Sequence, residues 1–231
     1  MKLIKQFFFL YKIDSSFIIY KKFLFSKVIS LFDKIKKIKF KKEHQKFLKK
    51  KKLSYDWFSH HAYDFHCQLK KFKNKFHYLE IGSFEGNSLM FVLKKFKNCK
   101  AVCVDTWQND KDYNIDFKLV EKYFNYNLFE FRKRFNKFKM NSRKFFSINK
   151  RKFDVIYIDG YHDYKTTLHD AINSWKVLNI NGILIFDDFF WDYYENKKNS
   201  SGFAINTFFK NISNFKIIKI NKQVVFKKIN N

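Results

Sequence analysis

Cysteine is scarce in this chain, and so are glycine, proline and acids. The three cysteines, Cys67, Cys99 and Cys103, form neither a CxxC pair nor a His/Cys ligand spacing. That excludes a disulfide framework and a zinc site and fits a reducing cytoplasm. Cys103 lies within an apolar run and reads as a small core residue, not a nucleophile. No uninterrupted apolar run approaches the ~20 residues needed to cross a bilayer, and Lys12 and Asp14 break up a signal-peptide core. Proline is absent and glycine occurs five times, whereas Phe occurs 33 times and Lys, Ile, Asn and Tyr are abundant. The favoured residues have A/T-rich codons and the scarce ones G/C-rich codons, so much of the net charge of +27 reflects base composition. A nucleic-acid footprint would cluster on one face or segment, and this charge is spread along the chain. Nucleic acid is therefore not an expected partner. With 46% hydrophobic residues in 231, the chain suits one sizeable domain plus an appendage.

The charge is uneven in one place. Residues 1–52 hold 17 Lys, no Arg and three acids, Asp14, Asp33 and Glu43. Ile13, Phe17, Tyr20, Leu24, Val28, Leu31, Ile35 and Ile38 recur there at steps of three and four, which predicts a basic amphipathic helical extension. Two readings stand: peripheral contact with an anionic membrane, at its inner face, or packing on the chain's own domain or a partner. Residues 49–52, all Lys, read as a solvated linker, so the main domain is expected over 53–231.

Two of the five glycines stand four apart in Leu79-Glu80-Ile81-Gly82-Ser83-Phe84-Glu85-Gly86, and a helix-like segment runs from Asn87 to Phe96. An apolar run ending in an acid, then a Gly-x-x-x-Gly turn, then a helix reads as strand, tight loop and helix. Glycine lets the backbone approach a ligand, and the helix start offers amides and a positive dipole end, which suits a nucleotide-like guest. An ordinary strand-to-helix turn carries the same signature. A second apolar strand, Lys100 to Asp105, precedes Thr106 and Trp107. An acid at the end of the second strand of a doubly wound sheet reaches a ribose, and Asp105 occupies that place. Residues 111–135 read as helical, and Phe138 to Ser142 as the end of a third strand.

Phe153 to Ile158 reads as a buried parallel strand that delivers Asp159 and, three residues on, His162 to its carboxyl end. A helix follows from about Lys165 to Val177, and the next apolar strand, from Gly182, ends in Asp187 and Asp188. Adjacent carboxylates at a buried strand tip repel each other and call for a compensating cation. Asp159, Asp187 and Asp188 offer hard oxygen ligands for Mg²⁺ or a similar divalent ion; the alternative is helix caps or solvated loop acids. Beside such an ion His162 becomes a candidate general base. Phe189, Phe190, Trp191 and Tyr193 either wall an acceptor pocket or pack in the core. Trp57, His60, His61 and His66 precede the first strand, where a lid would lie. Phe203 to Asn211 reads as a helix, and Phe215 to Ile220 with Val224 to Lys228 as a terminal hairpin. The expected class is α/β: a doubly wound, mostly parallel seven-stranded sheet with helices on both faces.

The series LEIGSFEG, VDTW, YIDGYHDY and GILIFDDFFW resembles the class I S-adenosylmethionine-dependent methyltransferases. More narrowly, it is similar to the small sugar O-methyltransferases of the macrocin and rhamnosyl type, from about Tyr55 to Lys228. The resemblance implies that Glu80, Gly82, Ser83 and Gly86 cradle the amino-acid part of S-adenosylmethionine (SAM). It places Asp105 on the ribose, Trp107, Asn141 and Ser142 toward the adenine, and Thr106 among the cofactor contacts. It further implies a divalent ion on Asp159, Asp187 and Asp188, with His162 as base. Gly182 follows Asn181 where relatives commonly show a glycine pair. The implied acceptor is a sugar or other small hydroxyl, on a cell-surface polysaccharide or glycolipid, and no pattern in the chain sets an oligomeric state. A nicotinamide-dependent oxidoreductase would want G-x-G-x-x-G, but the second glycine here comes four residues after the first. A non-catalytic membrane-surface or nucleic-acid-binding protein on the same scaffold stays open.

Overall fold

A computed structural model describes residues 2–73, 75–108 and 115–230. Four helices come first: α1 (Lys2–Lys12), α2 (Phe17–Phe32), α3 (Lys34–Leu48) and α4 (Ala62–Leu69). Then follow β1 (His77–Ile81), α5 (Asn87–Lys95), β2 (Lys100–Asp105), α6 (Phe117–Leu128), β3 (Phe135–Lys139), α7 (Ser142–Ile148), β4 (Phe153–Ile158) and α8 (Tyr164–Val177). β5 (Leu178–Phe186), α9 (Ser201–Lys210), β6 (Phe215–Ile220) and β7 (Val224–Lys228) complete the chain. The strands form one Rossmann-like sheet of order β3-β2-β1-β4-β5-β7-β6. β1–β2, β2–β3 and β4–β5 are parallel, and β7 runs antiparallel to both β5 and β6. Strands covered on both faces need continuous apolar runs, which is why β2 and β4 are legible as Ala101 to Val104 and Val155 to Ile158, all buried. β3 lies at the sheet edge and is half-exposed along its length, so its sequence carries little apolar signal.

The chain divides into two compact units, residues 1–31 with 146–231 and residues 32–145. The basic segment 1–52 contributes to both. In the second unit, α5 buries Leu89, Met90, Val92 and Leu93, and α3 inserts His44, whose ring hydrogen-bonds Asn87 Oδ1 at 2.7 Å. Residues 49–52 are not a free linker. Lys51 Nζ pairs with Glu130, and Asn127 clasps the Lys52 backbone by accepting its N–H at 2.9 Å and donating to its carbonyl at 2.7 Å. The helix expected over 111–135 is shorter: α6 starts on an Asp116 cap that accepts the Lys118 and Leu119 amides, and Phe135 already belongs to β3. Residues 111–114 lie outside the described residues.

In the first unit, the single amphipathic helix expected near the start is broken. The chain turns at Asp14, where φ is +53°. Asn206 Nδ2 donates to the carbonyls of Ile13 at 2.8 Å and Asp14 at 3.1 Å and so fixes the break. The packed face is also not the one periodicity selects. Ile19, Phe23 and Ser26 of α2 are buried, whereas Phe17, Leu24, Val28 and Leu31 are exposed. Phe9 and Phe23 pack edge-on against Phe190 with ring centroids 5.6 and 5.3 Å away, and Ser26 Oγ accepts the Ile220 amide at 3.1 Å. Within β5, Asn181 takes φ +65°, a left-handed conformation that Asn tolerates. A Cβ on Gly182 would fall 2.8 Å from Asn179 O and 2.9 Å from Asp154 O. The second glycine of the usual pair is therefore required by close approach, and Asn supplies the positive φ of the first.

Candidate active site

The loop after β1 is built on left-handed backbone. Gly82 and Gly86 have φ of +82° and +81°, and Phe84 between them +45°. A Cβ on Gly86 would lie 2.3 Å from Leu128 Cδ2 and 3.2 Å from Phe124 Cδ2, so glycine is needed there for conformation and for space. Asp105 ties this loop to the tip of β2. Its Oδ2 accepts the amides of Ser83 at 2.8 Å and Phe84 at 2.9 Å, and its Oδ1 accepts Trp107 N–H at 2.8 Å. Burial pushes its pKa up, and these backbone donors pull it back. A further backbone bond from Thr106 completes the set that holds this carboxylate against the loop.

Glu80 is fully buried at the end of β1. Its Oε2 accepts the Tyr78 hydroxyl at 2.7 Å. Its Oε1 and the Ser83 hydroxyl oxygen are buried with no hydrogen-bond partner among the described residues. Burial pushes the Glu80 pKa up to about 7, against the pull of the Tyr78, Ser83 and Ser88 hydroxyls around it. A bare carboxylate oxygen in such a place is costly unless it is protonated or meets a cation or donor.

The other residues assigned to the cofactor are placed differently from one another. Trp107 is buried at φ +44°. Its indole N–H donates to Phe84 O at 2.9 Å, and its ring packs on Phe124 at 4.8 Å and under Lys137 at 4.3 Å. Its ring thus braces the loop. Thr106 is half-buried; Asn141 is exposed and caps α7 by accepting the Lys144 amide at 2.9 Å, and Ser142 is buried at the start of that helix. Sequence reasoning missed Tyr55 and Glu85. Tyr55 stacks on Trp57 at 4.8 Å, Trp57 lies 5.0 Å from Phe84, and Glu85 Oε2 holds the Ser54 amide at 2.8 Å. The result is an exposed two-ring platform beside the glycine loop.

In the first unit, β4 and β5 bring Asp159, His162, Asp187 and Asp188 together. Tyr157 OH lies 2.8 Å from Asp159 Oδ2 and 2.5 Å from Asp187 Oδ2, a single proton serving two carboxylates. Asp187 is further held by Gln223 Nε2 at 2.9 Å and by the Asp188 amide at 2.8 Å. Asp188 has φ +50°, which turns its side chain toward His162, with Nε2 to Oδ2 at 3.5 Å. Among the described residues, Asp159, His162 and Asp188 offer ligand atoms all within 4.8 Å of one another. Asp187, also expected among the metal ligands, is engaged with Tyr157 and Gln223. Burial, then the charge of Asp187, pushes the Asp188 pKa up to about 7. Burial pushes His162 down, against the acids Asp187 and Asp163, and favours neutral imidazole. Of the four aromatics that follow, Phe189 is buried and Phe190 packs on α1 and α2, whereas Trp191 lies 4.9 Å from the His162 ring and Tyr193 is exposed.

Residues 79–189, from β1 to just past β5, match a family described as a methyltransferase domain. The chain has the Rossmann-like methyltransferase fold. SAH-bound methyltransferase PaMTH1 of Podospora anserina is 13% identical at a TM-score of 0.58, with 83% of this chain and 88% of that one covered. The O-methyltransferase TomG of Streptomyces achromogenes, solved with SAM, is 10% identical at 0.57, with 89% and 97% covered. MycE of the mycinamycin pathway, solved with Mg and SAH, is 12% identical at 0.56, with 76% of this chain and 51% of that chain covered. At such identities the likeness is one of fold. No curated protein matches the chain by sequence.

Proposed function

We propose that this protein is a SAM-dependent methyltransferase that methylates a hydroxyl of a sugar or another small acceptor with the help of a divalent cation. The observation that carries the reading is Glu80, whose buried, unpartnered Oε1 faces the need for a cation or donor next to a left-handed glycine turn. The α-ammonium of SAM meets that need. Bound there, SAM supplies a methyl group activated on a sulfonium. Glu80 and Ser83 hold the amino-acid end, Gly82 and Gly86 keep the backbone close, and Asp105 at the tip of β2 takes a ribose hydroxyl. Thr106, Asn141 and Ser142 lie on the adenine side, and Trp107 holds the loop in shape.

The acidic cluster of Asp159, His162 and Asp188 is the candidate for preparing the acceptor. A hydroxyl is a poor nucleophile while it keeps its proton. Neutral His162 takes that proton at Nε2, and Asp188, 3.5 Å away, stabilises the imidazolium that results. Asp159 and Asp188 hold a divalent ion, whose chemistry is to acidify a nearby hydroxyl. Trp191 and Tyr193 offer apolar faces for a sugar ring. The spacing of the Asp159, His162 and Asp188 ligand atoms favours a second reading, with His162 as a third metal ligand. The two separate cleanly: His162→Ala keeps Mn²⁺ binding and loses turnover if His162 is the base, and loses both if it is a ligand.

The test of the whole reading is calorimetry with SAM, expecting roughly micromolar affinity that falls on Glu80→Gln. Absence of binding by a folded chain would leave a non-catalytic scaffold. Mass spectrometry of cell-envelope sugars with and without the protein should show a shift of one methyl group.

A further inference from the structure

The apolar side chains that α1 and α2 leave outside form a patterned surface. Ile4, Phe8 and Tyr11 follow at helical spacing on α1 and are 60%, 62% and 77% exposed; Leu24, Val28 and Leu31 do so on α2 at 46%, 51% and 73%. The inner faces of both helices are already occupied by the Phe189–Phe190 segment and β6. Exposed apolar side chains repeated at helical spacing on two successive helices point to an interaction site.

The charges name the partner. Lys5, Lys12 and Lys21 are exposed among these side chains. The sole acid of residues 2–31, Asp14, is spent on Lys210 at 2.7 Å. The cores of protein interfaces are depleted of Lys. Basic helices with aromatic and aliphatic side chains instead lie in the headgroup layer of an anionic bilayer, apolar groups sunk and lysines reaching back to the phosphates. Among the described residues no helix is long and apolar enough to cross a membrane, so only a surface mode of contact is open to these helices. We propose that the outer face of α1 and α2 docks the protein on an anionic lipid surface. Phe9 and Phe23 pack on Phe190, two residues beyond Asp188, so the docked helices brace the segment that carries the acid. The docking itself does not depend on the methyltransferase reading.

The full chain is sedimented with vesicles of phosphatidylcholine alone and of phosphatidylcholine mixed with phosphatidylglycerol. Co-sedimentation is expected with the mixed vesicles only, weakened at least about tenfold by molar salt, which screens the lysines. The triple variant Phe8→Ser, Val28→Ser, Leu31→Ser should lose binding to a similar degree while keeping its melting temperature and circular dichroism. Phe8→Trp keeps an aromatic in place, so its added emission should shift blue and be quenched by brominated lipid. Equal sedimentation with neutral vesicles overturns the anionic assignment. No sedimentation with either vesicle, an added indole emission in Phe8→Trp that is indifferent to lipid, or a wild-type dimer that the triple variant dissolves overturns membrane docking.

Discussion

Asp105 Oδ2 accepts the backbone N–H of Ser83 at 2.8 Å, so the tip of β2 holds the loop that follows β1. The bond is charge-assisted and largely buried, and the same oxygen also holds Phe84. Asp105→Asn turns an acceptor-only group into one that must also place two donors. We expect a loss of about 2–3 kcal/mol in urea unfolding, together with a fall in SAM affinity. A variant that loses affinity at full stability would show that Asp105 acts on the ligand alone.

Glu80 should make stability depend on pH. Its folded pKa of about 7 lies above the 4.5 of an ordinary Glu, so between these values the folded chain keeps a proton that the unfolded chain releases. Stability therefore falls as pH rises from about 4.5 to about 7, by on the order of 3 kcal/mol for this group. Glu80→Gln removes that contribution, so the stability difference between variant and wild type should grow in the variant's favour across the same window. A difference that stays flat would mean that Glu80 is ionised or solvated in the folded protein.

Gly86→Ala combines a positive φ with a Cβ 2.3 Å from Leu128. A cost of roughly 2–4 kcal/mol is expected. Adding Leu128→Ala should relieve the contact and leave the conformational part, so chemical denaturation of the pair will show less than additive loss from the glycine change.

The two neighbouring acids of β5 should respond differently to amidation. Asp188→Asn removes a proposed ligand atom and is expected to weaken Mn²⁺ binding by about tenfold or more. Asp187→Asn disturbs Tyr157 and Gln223 instead, so it should lower the melting temperature while metal affinity falls less. Paramagnetic resonance titration of Mn²⁺ reads the first and a thermal melt the second; equal loss of metal in both variants would restore Asp187 as a ligand.

Much of the fold was legible because its signals are local. An apolar run, an acid and a glycine in order are enough to place β1 and its loop, and the same grammar places β2, β4 and β5. β3 was faint because an edge strand half-exposed to water needs no apolar run. Residues 49–52 misled for a related reason. Four lysines in a row look solvated, but Lys51 is drawn in by Glu130 and the Lys52 backbone by Asn127, partners more than 70 residues away.

By itself the sequence determined which side chains arrive at the strand ends: Glu80, Asp105, Asp159 and the Asp187–Asp188 pair, since strand direction and loop length are written in neighbouring residues. Only the tertiary structure decided their roles. Trp107 became a strut because Phe124 and Phe84 happened to meet it, and Asp187 a brace because Tyr157 and Gln223 did. Likewise α2 turned Ile19 and Phe23 inward and left Leu24 and Val28 outside. Periodicity reports that a helix has an apolar stripe, but which stripe is buried depends on the shape of a surface assembled from distant parts of the chain.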